Sequence, residues 1–321
     1  MRKNDEKPLI SVIMACYNSE EYIKEAIDSI ICQTYPNWEL VIVDDNSTDR
    51  SVELISEYDN DKIKLVRLFK NRGAQYARNV AIANISDKSE YIVNLDSDDI
   101  SDATMLEKEV QYLVDNPNIS IVGSNEIQFE DDINNPIYVT RTKGGSKYAV
   151  ASIPFSSPLT HSSMMIRRKD FAGWTIYNED YRKAQDYEFL FRAFVKGKKM
   201  ACIEEPLIGY RVRGDSLSHK EVGLDMHMLL VQRRVAEYFG IDSSEDFVRS
   251  IDYGLEAESH SIRKYISAIK YYVLLLKANR RSRFLSQKAL FYAVARQLYG
   301  NTRVLFRTVK KWLRNAKIEN K

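Results

Sequence analysis

The first half of the chain alternates between short strand-like runs and segments whose apolar residues recur at helical spacing. The runs predict strands buried on both faces, because a strand covered by helices on both sides has no polar face. They are Ile10–Ala15, Leu40–Val43, Ile63–Leu68, Tyr91–Leu95 and Ile119–Gly123. Since strands that alternate with helices form parallel sheets, the pattern predicts an α/β fold with a doubly wound, mostly parallel, Rossmann-like sheet.

The remaining elements divide the chain into two predicted regions. A strand at Ser163–Arg167, a helix at Asp186–Val195 and a strand at Met200–Glu204 complete the first region, which we place at residues 1–220. Beyond about residue 224 the apolar spacing is helical. Residues 221–321 are therefore predicted to form a helical, basic C-terminal region.

Two polar residues are predicted to cap the first two helices. Asn18 precedes the first helix and Glu21 follows three residues later, which is the spacing of a capping box. Ser47 stands before the second helix in a similar way. Such caps would satisfy N–H groups that the first helical turn leaves unpaired.

Composition places the chain among ordinary globular proteins. Of its 321 residues, 44% are hydrophobic, which is enough for a sizeable core. The cysteines Cys16, Cys32 and Cys202 lie far apart in apolar stretches and are predicted to be buried, reduced thiols. No apolar segment approaches the roughly 20 residues that span a bilayer, and the N-terminus does not resemble a signal peptide, so we expect a cytoplasmic protein.

The net charge of +2 conceals a strong asymmetry between the two regions. Residues 261–321 contain 16 Lys and Arg against one acidic residue, Glu319, whereas residues 1–260 carry a net charge of −13. A basic segment of this kind is typical of proteins that contact an anionic membrane surface or a nucleic acid. Packing of the tail on the acidic first region is the alternative.

Two acidic clusters follow predicted strands, where open parallel sheets bind their ligands. Asp96–Asp99 comes directly after the strand Tyr91–Leu95, and Asp44–Asp49 follows an earlier strand. Asp96 and Asp98 are two positions apart and are expected to point the same way. Carboxylates that face one another repel unless a cation lies between them, so a hard divalent ion is a candidate ligand. An Asp-rich turn that caps the next helix is the alternative.

The order of several motifs resembles that of the family 2 glycosyltransferases, which are inverting enzymes of GT-A fold that use sugar nucleotides. The motifs are Val12–Asn18, Glu39–Asp49, Asn71–Gly73, Ala77–Asn79 and Asp96–Asp99, and the resemblance covers roughly residues 8–215. We expect an enzyme of the bacterial surface-polysaccharide type. The resemblance implies a sugar-nucleotide donor, a saccharide acceptor that is often lipid-linked, and a divalent Mn²⁺ or Mg²⁺ ion.

The resemblance also implies roles for residues of the first, second and last motifs. In the family, an aromatic residue at the position of Tyr17 stacks on the base, and a carboxylate at that of Asp45 accepts a hydrogen bond from the uracil ring. The donor would then be a UDP-sugar. Asp96 would lie near the ribose and the metal, and Asp98 would bind the metal, which would neutralise charge on the leaving UDP.

A catalytic base is implied by Ala184–Arg192, which resembles the segment that carries the base in the family. Asp186 would take the proton of the acceptor hydroxyl as that oxygen attacks the anomeric carbon, which inverts its configuration. The alternative is that Asp186 only caps a helix. Many relatives carry Glu where this chain has Gln185, a departure that leaves the base in place and bears on acceptor contacts.

Arginines are predicted to complete the donor site. Arg211 and Arg213 lie in Tyr210–Ser218, which resembles the mobile loop that closes over the donor. Relatives often carry His at the position of Arg213. An Arg at this position can bind a diphosphate through two hydrogen bonds but cannot bind a metal. Arg72 and Arg78 either face the phosphates or cover the sheet.

Two histidines are candidates for the imidazole that Arg213 replaces. His161 and His219 would then contact the metal or the acceptor. A core or surface position without a role in catalysis is the alternative for each of them.

The last predicted helix is basic and amphipathic. Its apolar positions are Val304, Leu305, Val309, Trp312 and Leu313, and five Lys and Arg lie among them. Such a helix suits a membrane interface, so we expect peripheral contact with the cytoplasmic face of the inner membrane and no nucleic-acid partner. Packing on a domain or pairing with a partner helix are alternatives.

Two functions of other classes compete with glycosyl transfer. A nucleotidyltransferase also uses paired carboxylates and a metal, but it should carry a Gly-rich phosphate loop after the first strand, where this chain reads Ala15-Cys16-Tyr17-Asn18. A nucleic-acid-binding protein would explain the basic tail and bind in a salt-dependent way. It would leave the acidic clusters unexplained.

Overall fold

The computed structural model describes residues 7–213, 226–249 and 262–319, with side chains between 265 and 303 in the last segment. The chain divides into two compact units, Met1–Ala149 with Leu159–Arg213 and Val150–Pro158 with Gly214–Lys321. The predicted boundary at residue 220 lies outside the described residues. Val150–Pro158, which the sequence places in the first region, packs with the second unit.

Nine strands form the sheet of the described part of the first unit. They are β1 Leu9–Cys16, β2 Trp38–Asp44, β3 Ile63–Arg67, β4 Ser89–Asn94, β5 Ile100–Ser101, β6 Ile121–Phe129, β7 Tyr138–Val139, β8 Met165–Arg167 and β9 Met200–Arg211. Their order is β3-β2-β1-β4-β8-β6-β9-β5, with β7 paired to β6. The β3-β2-β1-β4 half is parallel, as is β6 with β9, whereas β8 runs antiparallel to both of its neighbours. The predicted α/β fold with a mostly parallel sheet is confirmed.

Helices follow the strands as the periodicity predicts. They are α1 Ile23–Ile31, α2 Ser51–Ser56, α3 Ala74–Ala83, α4 Met105–Asp115, α5 Ser146–Val150 and α6 Gln185–Val195, with short 3₁₀ turns at His161–Ser163 and Arg168–Phe171. Ile23, Ile27 and Ile30 of α1 are fully buried in the same apolar cluster as the residues of β1 and β2. Because each buried aliphatic side chain contributes about 1.5–3 kcal/mol, this face fixes α1 on the sheet.

The two predicted helix caps are wrong. α1 begins at Ile23 without a side-chain cap, and Asn18 has a left-handed backbone with φ 48°. The Asn18 side chain instead accepts the Thr48 backbone N–H at 2.9 Å, and the Asn18 N–H donates to the Ser47 hydroxyl at 3.0 Å. These polar residues therefore join the loops after β1 and β2, because a partner about 30 residues away competes with the local cap.

The three cysteines are free thiols, but only two of them are buried as predicted. Burial raises the pKa of Cys16 and of Cys202 to about 12, so both remain protonated. The prediction is wrong for Cys32, which is exposed. Cys32 directly follows the last residue of α1.

The second unit is helical, as the sequence predicts. Its helices are α7 Met226–Tyr238, α8 Glu245–Val248, α9 Ile262–Ser282 and α10 Gln287–Glu319. α9 and α10 form a hairpin in which Asn301 donates to the Tyr272 hydroxyl at 2.9 Å and Asn279 binds both backbone groups of Leu285. The predicted Trp312 face lies outside the described side chains. Among the described helices, none has both the length and the apolar character that crossing a membrane requires.

Candidate active site

The carboxyl ends of three adjacent parallel strands carry the predicted donor-binding residues. β1, β2 and β4 are neighbours in the order β2-β1-β4. Tyr17, Asp45 and Asp96 follow the last residues of these strands within two positions. The sheet therefore brings together three residues that lie far apart in sequence.

The acidic segment Asp96–Asp99 forms a turn. β4 ends at Asn94, and the Asp99 backbone N–H donates to the Asp96 carbonyl at 3.2 Å. The expectation that Asp96 and Asp98 point the same way rested on the alternation of side chains along a strand. That reason is wrong, because both residues lie beyond the end of β4 and alternation holds only inside a strand. The turn still keeps their carboxylates close enough to influence each other.

Asp96 is held by an arginine, an asparagine and a histidine. Nη2 of Arg78 lies 2.6 Å from Oδ1 of Asp96, and Nδ2 of Asn94 donates to the same oxygen at 3.0 Å. Nδ1 of His161 lies 3.7 Å from Oδ2. Burial alone would raise the pKa of Asp96, but Arg78 and then His161 hold it well below its ordinary value. Asp96 is thus an anion at neutral pH.

The ionised form of Asp98 is less well stabilised than that of Asp96. Burial raises its pKa and the charge of Asp96 raises it further, while Arg213 opposes both effects. Nη1 of Arg213 lies 3.1 Å from Oδ2 of Asp98, and the guanidinium lies 4.7 Å from the centre of the Tyr22 ring. A cation beside Asp98 would relieve the repulsion from Asp96.

Asp99 belongs to the support of the turn. It is fully buried and accepts hydrogen bonds from the Ser162 hydroxyl and, at 2.9 Å, from the Arg211 backbone N–H. Burial and the two neighbouring carboxylates raise the pKa of Asp99 well above its ordinary value. Three carboxylates in one turn therefore carry more negative charge than the surrounding protein readily stabilises.

Arg211 braces this turn from the end of β9. Its buried guanidinium donates to the Asp98 carbonyl at 3.0 Å and to the Glu130 carbonyl at 3.1 Å, and it pairs with Glu25. Each of the three guanidinium nitrogens of Arg211 therefore contacts a protein oxygen. Donor binding by Arg211 stays a prediction.

Asp45 organises the start of α3. Its carboxylate is buried and accepts the backbone N–H groups of Arg72 at 2.8 Å and Gly73 at 2.7 Å. Gly73 has φ 95°, and a Cβ at this position would lie 2.8 Å from the Gln75 side chain, so glycine is required here. A carboxylate offers about four lone-pair sites, so Asp45 retains capacity for the predicted contact with a base.

Tyr17 and Arg72 flank Asp45 and are both solvent-accessible. Tyr17 is 49% exposed, which leaves a ring face available for stacking. The Arg72 guanidinium lies 3.5 Å from the Tyr76 ring centre and 3.8 Å from Glu179. Their predicted contacts with the donor remain predictions.

Asp186 is the second residue of α6 and does not cap it. The position before the helix is Ala184, which has a left-handed backbone with φ 53°, so the capping alternative is wrong. Asp186 is half-buried and interacts electrostatically with Arg78 and Tyr177. In the part of the chain that the structure describes, no hydrogen-bond donor contacts its carboxylate.

His161 lies beside Asp96, and Tyr177 fixes its ring. Nε2 of His161 lies 3.0 Å from the Tyr177 hydroxyl. Tyr177 and Asn94 are not among the residues predicted from the sequence, although Asn94 interrupts an apolar strand, which is a signal that could have identified it. The second predicted histidine, His219, lies outside the described residues.

Comparison with known proteins decides the family. Residues 11–173 match the model of Glycosyl transferase family 2. The chain belongs to this family. The predicted resemblance is confirmed, and membership in the glycosyltransferases favours glycosyl transfer over the nucleotidyltransferase and nucleic-acid-binding alternatives.

Three known proteins illustrate the range of similarity. An uncharacterized glycosyltransferase of Haemophilus influenzae is 29% identical over 314 residues, which cover 85% of this chain and 94% of that protein. The Escherichia coli UDP-Glc:alpha-D-GlcNAc-diphosphoundecaprenol beta-1,3-glucosyltransferase WfgD is 40% identical over 36% of this chain and 45% of its own length. The structure of S. aureus TarS 1–349 with UDP-GlcNAc superimposes with a TM-score of 0.60 at 19% identity, covering 94% of this chain and 92% of the TarS 1–349 chain. The last similarity shows the shared GT-A fold.

Proposed function

We propose that this glycosyltransferase moves a sugar from a UDP-sugar to a saccharide acceptor, with inversion at the anomeric carbon, in the synthesis of a surface polysaccharide. One observation carries the proposal. The guanidinium of Arg78 pairs with Asp96 of the acidic turn and donates to Gln185, the residue immediately before Asp186. One arginine therefore links a candidate metal and diphosphate site to the helix turn that carries a candidate base.

Tyr17 and Asp45 support a uridine nucleotide as the donor. An exposed tyrosine ring can stack on a base, and a carboxylate rewards a ring N–H group that it can accept from. Arg213 at the turn can bind phosphate oxygens with its planar fork. Arg72 is the second arginine that we assign to the donor. TarS, whose fold this chain shares, binds UDP-GlcNAc.

Asp98 and Asp96 are the residues that would hold a Mn²⁺ or Mg²⁺ ion. Their carboxylates are crowded in one turn, and burial together with the charge of Asp96 raises the pKa of Asp98. In the described parts of the chain, no three His, Cys, Asp or Glu residues are placed to form a complete metal cage. Two carboxylates suit an ion that shares its remaining positions with a diphosphate and water. When bound, such an ion acts as a Lewis acid that stabilises the leaving UDP.

Asp186 is the proposed general base. It would accept the proton of the acceptor hydroxyl while the oxygen of that hydroxyl forms a bond to the anomeric carbon and the bond to UDP breaks. Attack on the face opposite UDP inverts the configuration. The proposed contacts of His161 are with the acceptor or the metal, since His161 lies beside Asp96.

A lipid-linked saccharide is the proposed acceptor, with peripheral binding to the cytoplasmic face of a membrane. WfgD, which aligns with part of this chain, transfers to GlcNAc-diphosphoundecaprenol according to its name. In α10 the side chains of Phe291 and Tyr299 are 63% and 67% exposed and lie two turns apart. Lys288, Arg296 and Arg303 are exposed on the same helix. Exposed aromatic rings among basic side chains suit an anionic lipid surface.

The donor prediction is tested by nucleotide binding and by product release. We expect the protein with Mn²⁺ to release UDP from a UDP-sugar, and to bind UDP at least about tenfold more tightly than GDP or ADP, because Asp45 would accept the ring N–H of a uracil that stacks on Tyr17. Calorimetric titration of the three diphosphates measures the preference, and a panel of UDP-sugars identifies the sugar. Equal affinities would contradict the assigned base pocket.

The membrane prediction is tested on the exposed face of α10. We expect the double substitution Phe291→Ser and Tyr299→Ser to weaken sedimentation with phosphatidylglycerol vesicles by about tenfold, because two aromatic rings no longer enter the interface. The matched control replaces the exposed Ile137 and Tyr138 of the first unit by Ser. Vesicle binding that is unchanged in the α10 variant, or reduced equally in the control, would contradict the prediction.

A further inference from the structure

The loop that leads into α6 is attached to α3 by several side chains of α3. Asn79 binds both backbone groups of Tyr177, donating to its carbonyl at 2.8 Å and accepting its N–H at 3.2 Å. Gln75 lies one turn earlier on α3 and donates to the Glu179 carbonyl at 3.5 Å. α3 therefore holds the backbone that precedes the proposed base.

Arg78 extends this attachment from the loop to the first residue of α6. Its Nη1 donates to Oε1 of Gln185 at 3.1 Å, while its Nη2 binds Asp96. Both side chains are buried, with Gln185 9% and Arg78 6% exposed. Nε of Arg78 has no acceptor among the described residues, so Asp96 and Gln185 are the two groups that orient the guanidinium by hydrogen bonds.

What this arrangement requires of Gln185 is a hydrogen-bond acceptor for Arg78. An amide oxygen accepts from Arg78 without adding a second anion, so the positive charge of the guanidinium is balanced by Asp96 and, at longer range, by Asp186. Gln185 is also the residue immediately before Asp186. The bond from Arg78 to Gln185 therefore fixes the first turn of α6 relative to the acidic turn.

We propose that Gln185, through its hydrogen bond to Arg78, is a positioning residue that sets the place of Asp186 relative to the Asp96–Asp99 turn. The inference rests on the proposed function, in which Asp186 is the base and the acidic turn holds the donor. In this proposal Gln185, which is buried and bonded to Arg78, acts without contacting the donor or the acceptor. Its effect on the rate is exerted through Asp186, because a displacement of about 1 Å in a reacting group costs on the order of 10²-fold in rate.

Two substitutions separate positioning from packing. Gln185→Met keeps the length and volume of the side chain and removes the acceptor, whereas Gln185→Glu keeps an acceptor at the same distance. We expect Gln185→Met to lower kcat for sugar transfer by about 10- to 100-fold with the Kd for UDP unchanged within about twofold. We expect Gln185→Glu to retain kcat within about threefold. Thermal unfolding of each variant checks that the fold is intact.

A double-mutant cycle tests whether Gln185 acts through Asp186. In the Asp186→Asn background, Gln185→Met should lower kcat by less than about twofold, because the group that it positions no longer works as a base. Full activity of Gln185→Met, an equally slow Gln185→Glu, or the same loss in the Asp186→Asn background would each overturn the inference. Wild-type kcat in Asp186→Asn alone would instead refute the base assignment, and this inference with it.

Discussion

The substitution Asp186→Asn is expected to lower kcat for sugar transfer by a factor on the order of 10² to 10⁴, with little change in the Kd of the UDP-sugar. A general base is needed when the acceptor attacks and not when the donor binds, so the two quantities separate. Asparagine keeps the size of the side chain and removes its basicity. Steady-state kinetics with a saccharide acceptor and calorimetry with the donor measure both effects.

The structure supplies a matched control for this substitution. Asp180 lies in the exposed loop that precedes α6, and Asp180→Asn makes the same chemical change without affecting the proposed base. We expect its kcat to equal that of the wild type. A second readout is the anomeric configuration of the product, because displacement assisted by a single base inverts it. A product that retains the configuration of the donor would disprove the mechanism even if Asp186→Asn were slow.

Asp98→Ala is expected to lower turnover by a factor on the order of 10³ and to remove the dependence of donor binding on Mn²⁺. The size follows from the several kcal/mol that a Lewis acid contributes to a charged transition state. The fold should survive, because burial and the charge of Asp96 raise the pKa of Asp98 and its ionised form therefore disfavours the folded state at neutral pH.

The control for Asp98→Ala is the same substitution at an aspartate outside the site. Asp61 is exposed before β3, and Asp61→Ala should leave turnover, metal dependence and Tm unchanged. Titration of UDP with and without Mn²⁺ distinguishes loss of the metal from loss of the donor pocket. Full activity of the wild-type protein in EDTA, or wild-type turnover in Asp98→Ala, would show that the metal assignment is wrong.

The sequence was enough to predict that the candidate site residues lie at the ends of neighbouring strands. The apolar runs of β1, β2 and β4 are long enough to identify buried strands, and parallel strands direct their carboxyl ends to one edge of the sheet. Tyr17, Asp45 and Asp96 therefore had to lie near one another.

The roles of the arginines could not be predicted in the same way. Arg78 and Gln185 are 107 positions apart, and their hydrogen bond depends on how the loop before α6 lies against α3. Arg211 lies within the predicted mobile loop Tyr210–Ser218, yet its guanidinium is buried against Asp98, Glu130 and Glu25. Neither the charge of an arginine nor its position in the sequence tells whether it binds a ligand or supports the fold. The groups that surround it in space make the difference.

Sequence alone determined the α/β fold, the helical C-terminal region, the family and the strand ends that carry the acidic residues. These features follow from local periodicity and from short motifs, which report the burial of neighbouring positions. The tertiary structure decided which polar groups pair: Asn18 with Thr48 instead of a helix cap, Asp99 with Arg211, and Arg78 with both Asp96 and Gln185. A buried polar group is stabilised by whichever partner the fold brings within hydrogen-bonding distance, and that partner is commonly remote in sequence.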